Sequence, residues 1–385
     1  MNRQNFSQHS DQRGLTLIEI MVALSISSLL IAGVVQIFAN NKATYRLQEG
    51  LGRMQENARF ALDFMTRDIR QAGYLGCIRN IESVQTTLSA PPASFSPTLG
   101  IQGWEFGGTE PGASYTLNAT DAEPVETHGN NAGWSGWTTP SNDAALDSTP
   151  LAMSGSDILR VWHGDNRTAR VTNITPGNAG TPHTIIVTNN SIQSGDIVLV
   201  SDCVAADIMQ VCDTATAGGI TQLSMDANGG SCGVGNNLGL KPSTLADNGE
   251  VIPLVAGTYF VGKLNGDAQN PPSLYYAPLE STNHNGTTGR AEELVQGVDS
   301  MQILYGEDTD GDGTANMFRS ANQVANWRNI TAIKIGLLMR TIDEVDTQRH
   351  GGEFDVNGTT INLTVSDRRP RKTFTTTILL RNRSA

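Results

Sequence analysis

The sequence predicts an α+β protein. One long N-terminal α-helix, transmembrane in its first half and amphipathic in its second, packs on a mainly antiparallel β-sheet domain. Three observations lead there: an uninterrupted apolar run over 15–39, a helical-period stripe of apolar residues over 40–73, and a train of short β-branched and aromatic segments after 157. Those segments are bounded by Gly, Asn, Asp and Pro, with few helical runs between them. With 385 residues, the chain is long enough for one large or two ordinary cores.

The first element is LTLIEIMVALSISSLLIAGVVQIFA, which carries one charge, Glu19, and no proline. As a helix it spans about 37 Å, enough to cross a hydrocarbon layer of about 30 Å. A secretory signal has a shorter apolar core with its cleavage site after that core; here the expected cut precedes the run. The leader 1–14 carries Arg3 and Arg13 and is expected to stay cytoplasmic. Glu19 is the anomaly, because a carboxylate in a membrane helix costs about 2.5–3.5 kcal/mol. A cut between Gly14 and Leu15 makes Glu19 the fifth residue, one turn from a new α-amine. The amine of one subunit can then neutralise Glu19 of the next and fix the stagger between helices. The plainer alternative is a signal anchor with a stray acid.

The second element continues the helix. Leu47, Leu51, Met54, Ala58, Leu62, Met65, Ile69 and Ala72 recur in steps of three and four and trace one face for packing on a sheet. Gly50 and Gly52 are expected to loosen or bend it, and Gly73 to stand at C′. Glu49, Arg53, Arg59, Asp63, Arg67 and Asp68 are expected to lie mostly off the packed face.

Residues 74–156 read as an irregular connecting region. From 83 on they are rich in Thr, Ser, Pro, Gly and Asn and are packed by Trp104, Trp134 and Trp137. The β-rich domain then runs over 157–385, with candidate strands at 157–162, 184–189, 196–201, 206–211, 255–262, 273–277, 298–305, 330–340, 360–365 and 373–382.

Charge and motifs exclude several function classes. The net charge is −12, and removing 1–14 leaves about −13, so no electrostatic grip on nucleic acid is expected. The basic run 368–372 reads as a solvated loop. Cys77, Cys203, Cys212 and Cys232 form no C-x-x-C pair, and their even number in an exported chain suggests two disulfides. Three connectivities are open. Cys77–Cys203 with Cys212–Cys232 is favoured because the second pair closes a short Gly-rich loop. Gly229, Ser231 and Gly233 match G-x-S-x-G but lack the strand, helix and partners of a nucleophile elbow. The six His show no metal-ligand spacing, and no enzyme is expected. Asp308, Asp310 and Asp312, with Gly313 and Asn316, are candidate ligands for Ca²⁺ in a β-loop; Arg319 stands where an EF-hand would place its last Glu. No other cofactor is expected.

Arg13-Gly14-Leu15-Thr16-Leu17-Ile18-Glu19 resembles the processing signal of type IV prepilins and type II secretion pseudopilins. The resemblance implies cleavage after Gly14 by a prepilin peptidase, N-methylation of Leu15 and an assembly role for Glu19. Leu15 stands where the family usually has Phe. Residues 54–77, 298–312 and the terminal TFTTTILLRNR resemble the PilW family of minor pilins, related to GspJ-like pseudopilins. That implies a pilin-like fold and a protein that primes pilus assembly near the tip of a fimbrium used for adhesion and twitching motility. Its implied partners are PilV-, PilX- and FimU-like pilins, the major pilin, a large tip adhesin and the inner-membrane assembly platform. The implied location is a single-pass inner-membrane protein with a periplasmic C-terminal domain, later carried into the pilus. A GspJ-like secretion pseudopilin is the alternative, and a membrane-anchored calcium- or ligand-binding protein a more distant one.

Overall fold

A computed structural model describes residues 16–78, 81–89, 91, 95–117, 137–138, 151–177, 181–188, 191–226, 232, 234–237, 249–263, 271–279 and 291–382. Helix α1 (Leu17–Ile69) joins the apolar run and the amphipathic stripe into one rod of 53 residues. It runs unbroken through both glycines. Gly50 lies in close approach to Val345, where a Cβ would stand 3.0 Å from both methyls, whereas Gly52 faces open space. The helix ends with Arg70 as its C-cap, two residues earlier than a C′ at Gly73 would place it. Gly73 instead forms the turn that follows, with φ 72°, and donates its N–H to the Trp162 carbonyl at 2.8 Å.

Before 165 the strands are β1 (Val84–Thr86), β2 (Ile101–Phe106), β3 (Ser114–Leu117), β4 (Trp137–Thr138), β5 (Leu151–Ala152) and β6 (Ile158–Gly164). Next come β7 (Ala169–Thr175), β8 (His183–Thr188), β9 (Ile197–Ser201), β10 (Ala206–Gln210), β11 (Asp213–Ala217), β12 (Ile220–Met225) and β13 (Glu250–Lys263). The last group is β14 (Ser273–Leu279), β15 (Glu292–Gln296), β16 (Val298–Glu307), β17 (Met317–Arg319), β18 (Ile330–Arg340), β19 (His350–Val356), β20 (Thr359–Asp367) and β21 (Arg371–Leu379). All ten strand expectations correspond to strands. Pairing is antiparallel except for β1 with β10 and β20 with β3 among the described residues.

The largest sheet is organised by β13. Its first residues pair with β7 and β9, and from Leu254 onward it pairs with β6 and β14. Pro253, which has no N–H to give, sits where the partner changes. A four-stranded sheet in the order β17-β16-β18-β21 and a three-stranded sheet in the order β19-β20-β3 complete the domain. The segment 74–156 is more regular than the sequence suggested. β2 pairs with β6 inside the main sheet, β1 extends it beyond β10, and β3 joins β20. Trp104 is buried there; Trp134 lies outside the described residues, as does the side chain of Trp137.

The main core sits under α1. Met54, Ala58, Ala61, Met65 and Ile69 pack on Val161, Tyr259, Val261, Val295, Met301, Ile335 and Leu337, contributed by both larger sheets. A second core of Val171, Ile185, Val187, Val198, Val200, Leu223 and Val251 closes the lobe made by β7–β12 and the start of β13.

Candidate functional site

Along α1 the side chains change partners midway. From Leu17 to Phe38 the large apolar residues face outward; Leu17 is 77% exposed and Phe38 73%. None of the apolar 18-residue window is covered by the rest of the chain. From Met54 onward one face is buried in the β-domain. Half the rod thus leaves its apolar surface for lipid or for other helices, while the other half anchors the folded domain.

At the start of the rod, Thr16 and Glu19 form a capping box. One oxygen of Glu19 accepts the Thr16 N–H at 2.9 Å and the Thr16 hydroxyl at 2.8 Å, and Thr16 Oγ1 accepts the Glu19 N–H at 3.4 Å. The carboxylate is therefore folded back over the helix N-terminus. Gly14 and Leu15 themselves lie outside the described residues. Thr16 went unremarked in the sequence reading, although T-x-x-E ahead of an apolar run is a capping signal.

At the far end, Asp68 corrects an expectation. It is not off the packed face but turned into it. One oxygen lies 2.8 Å from His163 Nε2 and the other accepts the Tyr259 hydroxyl at 2.7 Å. Burial, together with the charge of Asp68, pushes the Tyr259 hydroxyl far above its ordinary value. Glu49 and Arg53, by contrast, pair on the exposed side at 2.6 Å.

The disulfides join Cys77 to Cys203 and Cys212 to Cys232. The first ties the segment leaving α1 to the β9–β10 hairpin. In the second, Cys232 belongs to the G-x-S-x-G stretch, whose Gly229, Ser231 and Gly233 lie outside the described residues. Two residues of the basic run are committed internally: Arg371 bonds Asp299 at 2.8 Å and Asp367 at 2.7 Å, and Arg369 reaches Asp367 and Glu344.

Asp308, Asp310 and Asp312 do converge, with an oxygen from each within 4.8 Å of the others. That donor set is of the hard, all-oxygen kind that Ca²⁺ takes. Its oxygens already accept the loop's own donors. Asp308 takes the N–H groups of Gly311 (2.7 Å) and Gly313 (2.8 Å), and Asp312 that of Thr314 (2.7 Å). Asn316 accepts the Thr309 N–H at 2.8 Å and donates to Asp310 at 3.1 Å. The Gly313 N–H, above all, holds the Asp308 carboxyl below the usual carboxylate range.

An unshielded apolar half-helix with one acid at its start, continuous with a half seated on a largely antiparallel domain, is the architecture of the type IV pilin class. Residues 9–35 match the family model of the prokaryotic N-terminal methylation motif, and residues 258–382 match that of the type IV pilus-assembly protein W, PilW. These two matches support a type IV minor pilin of the PilW family. The stretch 36–257 lies outside both. No curated protein and no solved structure matched the chain.

Proposed function

We propose that this minor pilin helps to initiate type IV pilus assembly and enters the filament, near its tip, through the exposed half of α1. The carrying observation is the pairing of that bare apolar half with Glu19 held at its first turn. In this reading a prepilin peptidase cuts after Gly14, Leu15 becomes the methylated N-terminus, and the new amine of one subunit meets Glu19 of its neighbour. The leader stays cytoplasmic and the β-domain periplasmic until assembly. The domain then presents its surface to PilV-, PilX- and FimU-like minor pilins, the major pilin and the tip adhesin. The role is structural and involves no catalysis. Match to a pilus-assembly family supports a pilus over a secretion pseudopilus.

Two measurements test this. The N-terminal peptide of the protein from cells should begin at methylated Leu15; a mature chain retaining 1–14 would overturn the reading. A Glu19→Ala strain should carry the protein at normal abundance in its membranes yet show few surface pili. Wild-type piliation in that strain would remove Glu19 from the mechanism.

A further inference from the structure

The last turn of α1 is fastened to the β-domain by a set of groups whose hydrogen-bond directions fix their protons. His163, on β6, faces an acceptor with each ring nitrogen: Nδ1 lies 2.9 Å from the Gly164 carbonyl oxygen and Nε2 2.8 Å from Asp68 Oδ1. A carbonyl oxygen only accepts, so Nδ1 carries a hydrogen. Tyr259 donates to the second oxygen of Asp68 at 2.7 Å. If Nε2 also carries a proton, it makes a charge-assisted bond to Asp68. If it does not, two lone pairs meet at 2.8 Å. The arrangement therefore requires one proton more than a neutral imidazole and a carboxylate supply.

We propose that Asp68, His163 and Tyr259 form a proton-dependent latch that fixes the end of the pilin helix to the β-domain, shut while His163 is doubly protonated and open when one ring proton leaves. The other charged or titratable groups facing it are Asp165 in the turn after β6, Tyr74 beyond the helix, Tyr276 on β14 and, next to Tyr276, Glu292 on β15. None of these is a cation that would displace the ring. Burial works against the charged imidazole, but the Asp68 bond and charge, the Gly164 carbonyl and Asp165 outweigh it and hold His163 above its ordinary value. A raised folded value means that the stabilisation is complete below the unfolded value, about 6.5, and is lost as pH rises through the folded one.

Opening does not release the rod, because Met54, Ala58, Ala61 and Met65 still hold it. It loosens Asp68 to Gly73, where the chain turns and where Gly73 is hydrogen-bonded to Trp162, the neighbour of His163. The latch does not depend on the proposed role in pilus initiation.

Hydrogen exchange of the full chain in detergent micelles tests it from pH 6 to pH 9, after correction for intrinsic exchange. Exchange over 62–75 should accelerate with rising pH, by about tenfold for each unit by which the pair raises His163, while 50–58 keeps its protection. His163→Gln should fix 62–75 at the open, pH-independent rate. Asp68→Asn keeps an acceptor but removes the charge, so it should open at lower pH than the wild type; near-UV circular dichroism at pH 6 checks that each variant is folded. Protection over 62–75 that is flat with pH in the wild type would overturn the latch, as would loosening of both segments together or an unchanged opening pH in Asp68→Asn.

Discussion

Buried acids carry much of the joinery between the sheets. Asp157, just before β6, accepts the Ile303 N–H of β16 at 2.7 Å and the Phe106 N–H of β2 at 3.2 Å. The adjacent Ser156 Oγ accepts the Met301 N–H at 3.1 Å. Replacing Asp157 by Ala leaves two buried N–H groups without their acceptor and should cost on the order of 3 kcal/mol in urea unfolding. Glu105 lies beside it on β2, 1% exposed. Burial pushes its carboxyl up to about 7, against the Thr109 hydrogen bond and aided by the charge of Glu110. The folded state thus keeps a proton that the unfolded chain releases near the ordinary glutamate value, about 4.5. Stability falls as pH rises between these values. Glu105→Gln should abolish that part of the pH dependence and raise stability at pH 8 by up to about 3 kcal/mol. Unfolding midpoints of both proteins between pH 4.5 and 8 check it, and parallel curves would count against it.

At the scale of elements, α1 shows how far a periodic pattern reaches. Met65 is fully buried between the sheets, so Met65→Ala should destabilise by about 2–5 kcal/mol. Phe60, 54% exposed, should cost far less on the same change. Urea titration in detergent compares the two. The buried stripe was legible because its period is that of the helix, yet following a single row of apolar residues passed over two members. Ala61 lies three residues after Ala58, and Asp68 three after Met65; both fall on the packed face by the i,i+3 rule. Most strands after 157 were legible from β-branched runs. β2 was not: Gly103 interrupts IQGWEF, and the reason lies far along the chain, since a Cβ there would collide with the Tyr305 hydroxyl. β11, reading DTATA, is exposed on most of its positions and so carries no apolar alternation to find. The Thr16–Glu19 cap was within reach of the sequence, whereas the His163–Asp68 pair, 95 residues apart, needed the fold.

For the molecule as a whole, the decisive element is β13, because one strand of 14 residues serves both cores. Val251 belongs to the core of the β7–β12 lobe, while Tyr259 and Val261 lie in the core under α1. Only the change of partners at Pro253 separates them, and the strand itself continues. Fraying of the lobe core would expose one end of a strand whose other end pairs with β6 and β14. Loss of either core therefore removes pairing partners from the other. The two disulfides reinforce the lobe locally without dividing it from the rest, since Cys77 ties the segment after α1 to Cys203 beside β9. The described domain should accordingly unfold in one cooperative step. Val251→Ala, at a fully buried site remote from α1, should lower stability by about 2 kcal/mol. Far-UV circular dichroism of the whole chain and protection of the α1-core segment 58–69 should register that loss at the same urea concentration. Two separated transitions, with Val251→Ala moving only the first, would show that β13 does not couple the lobe to the helix seat.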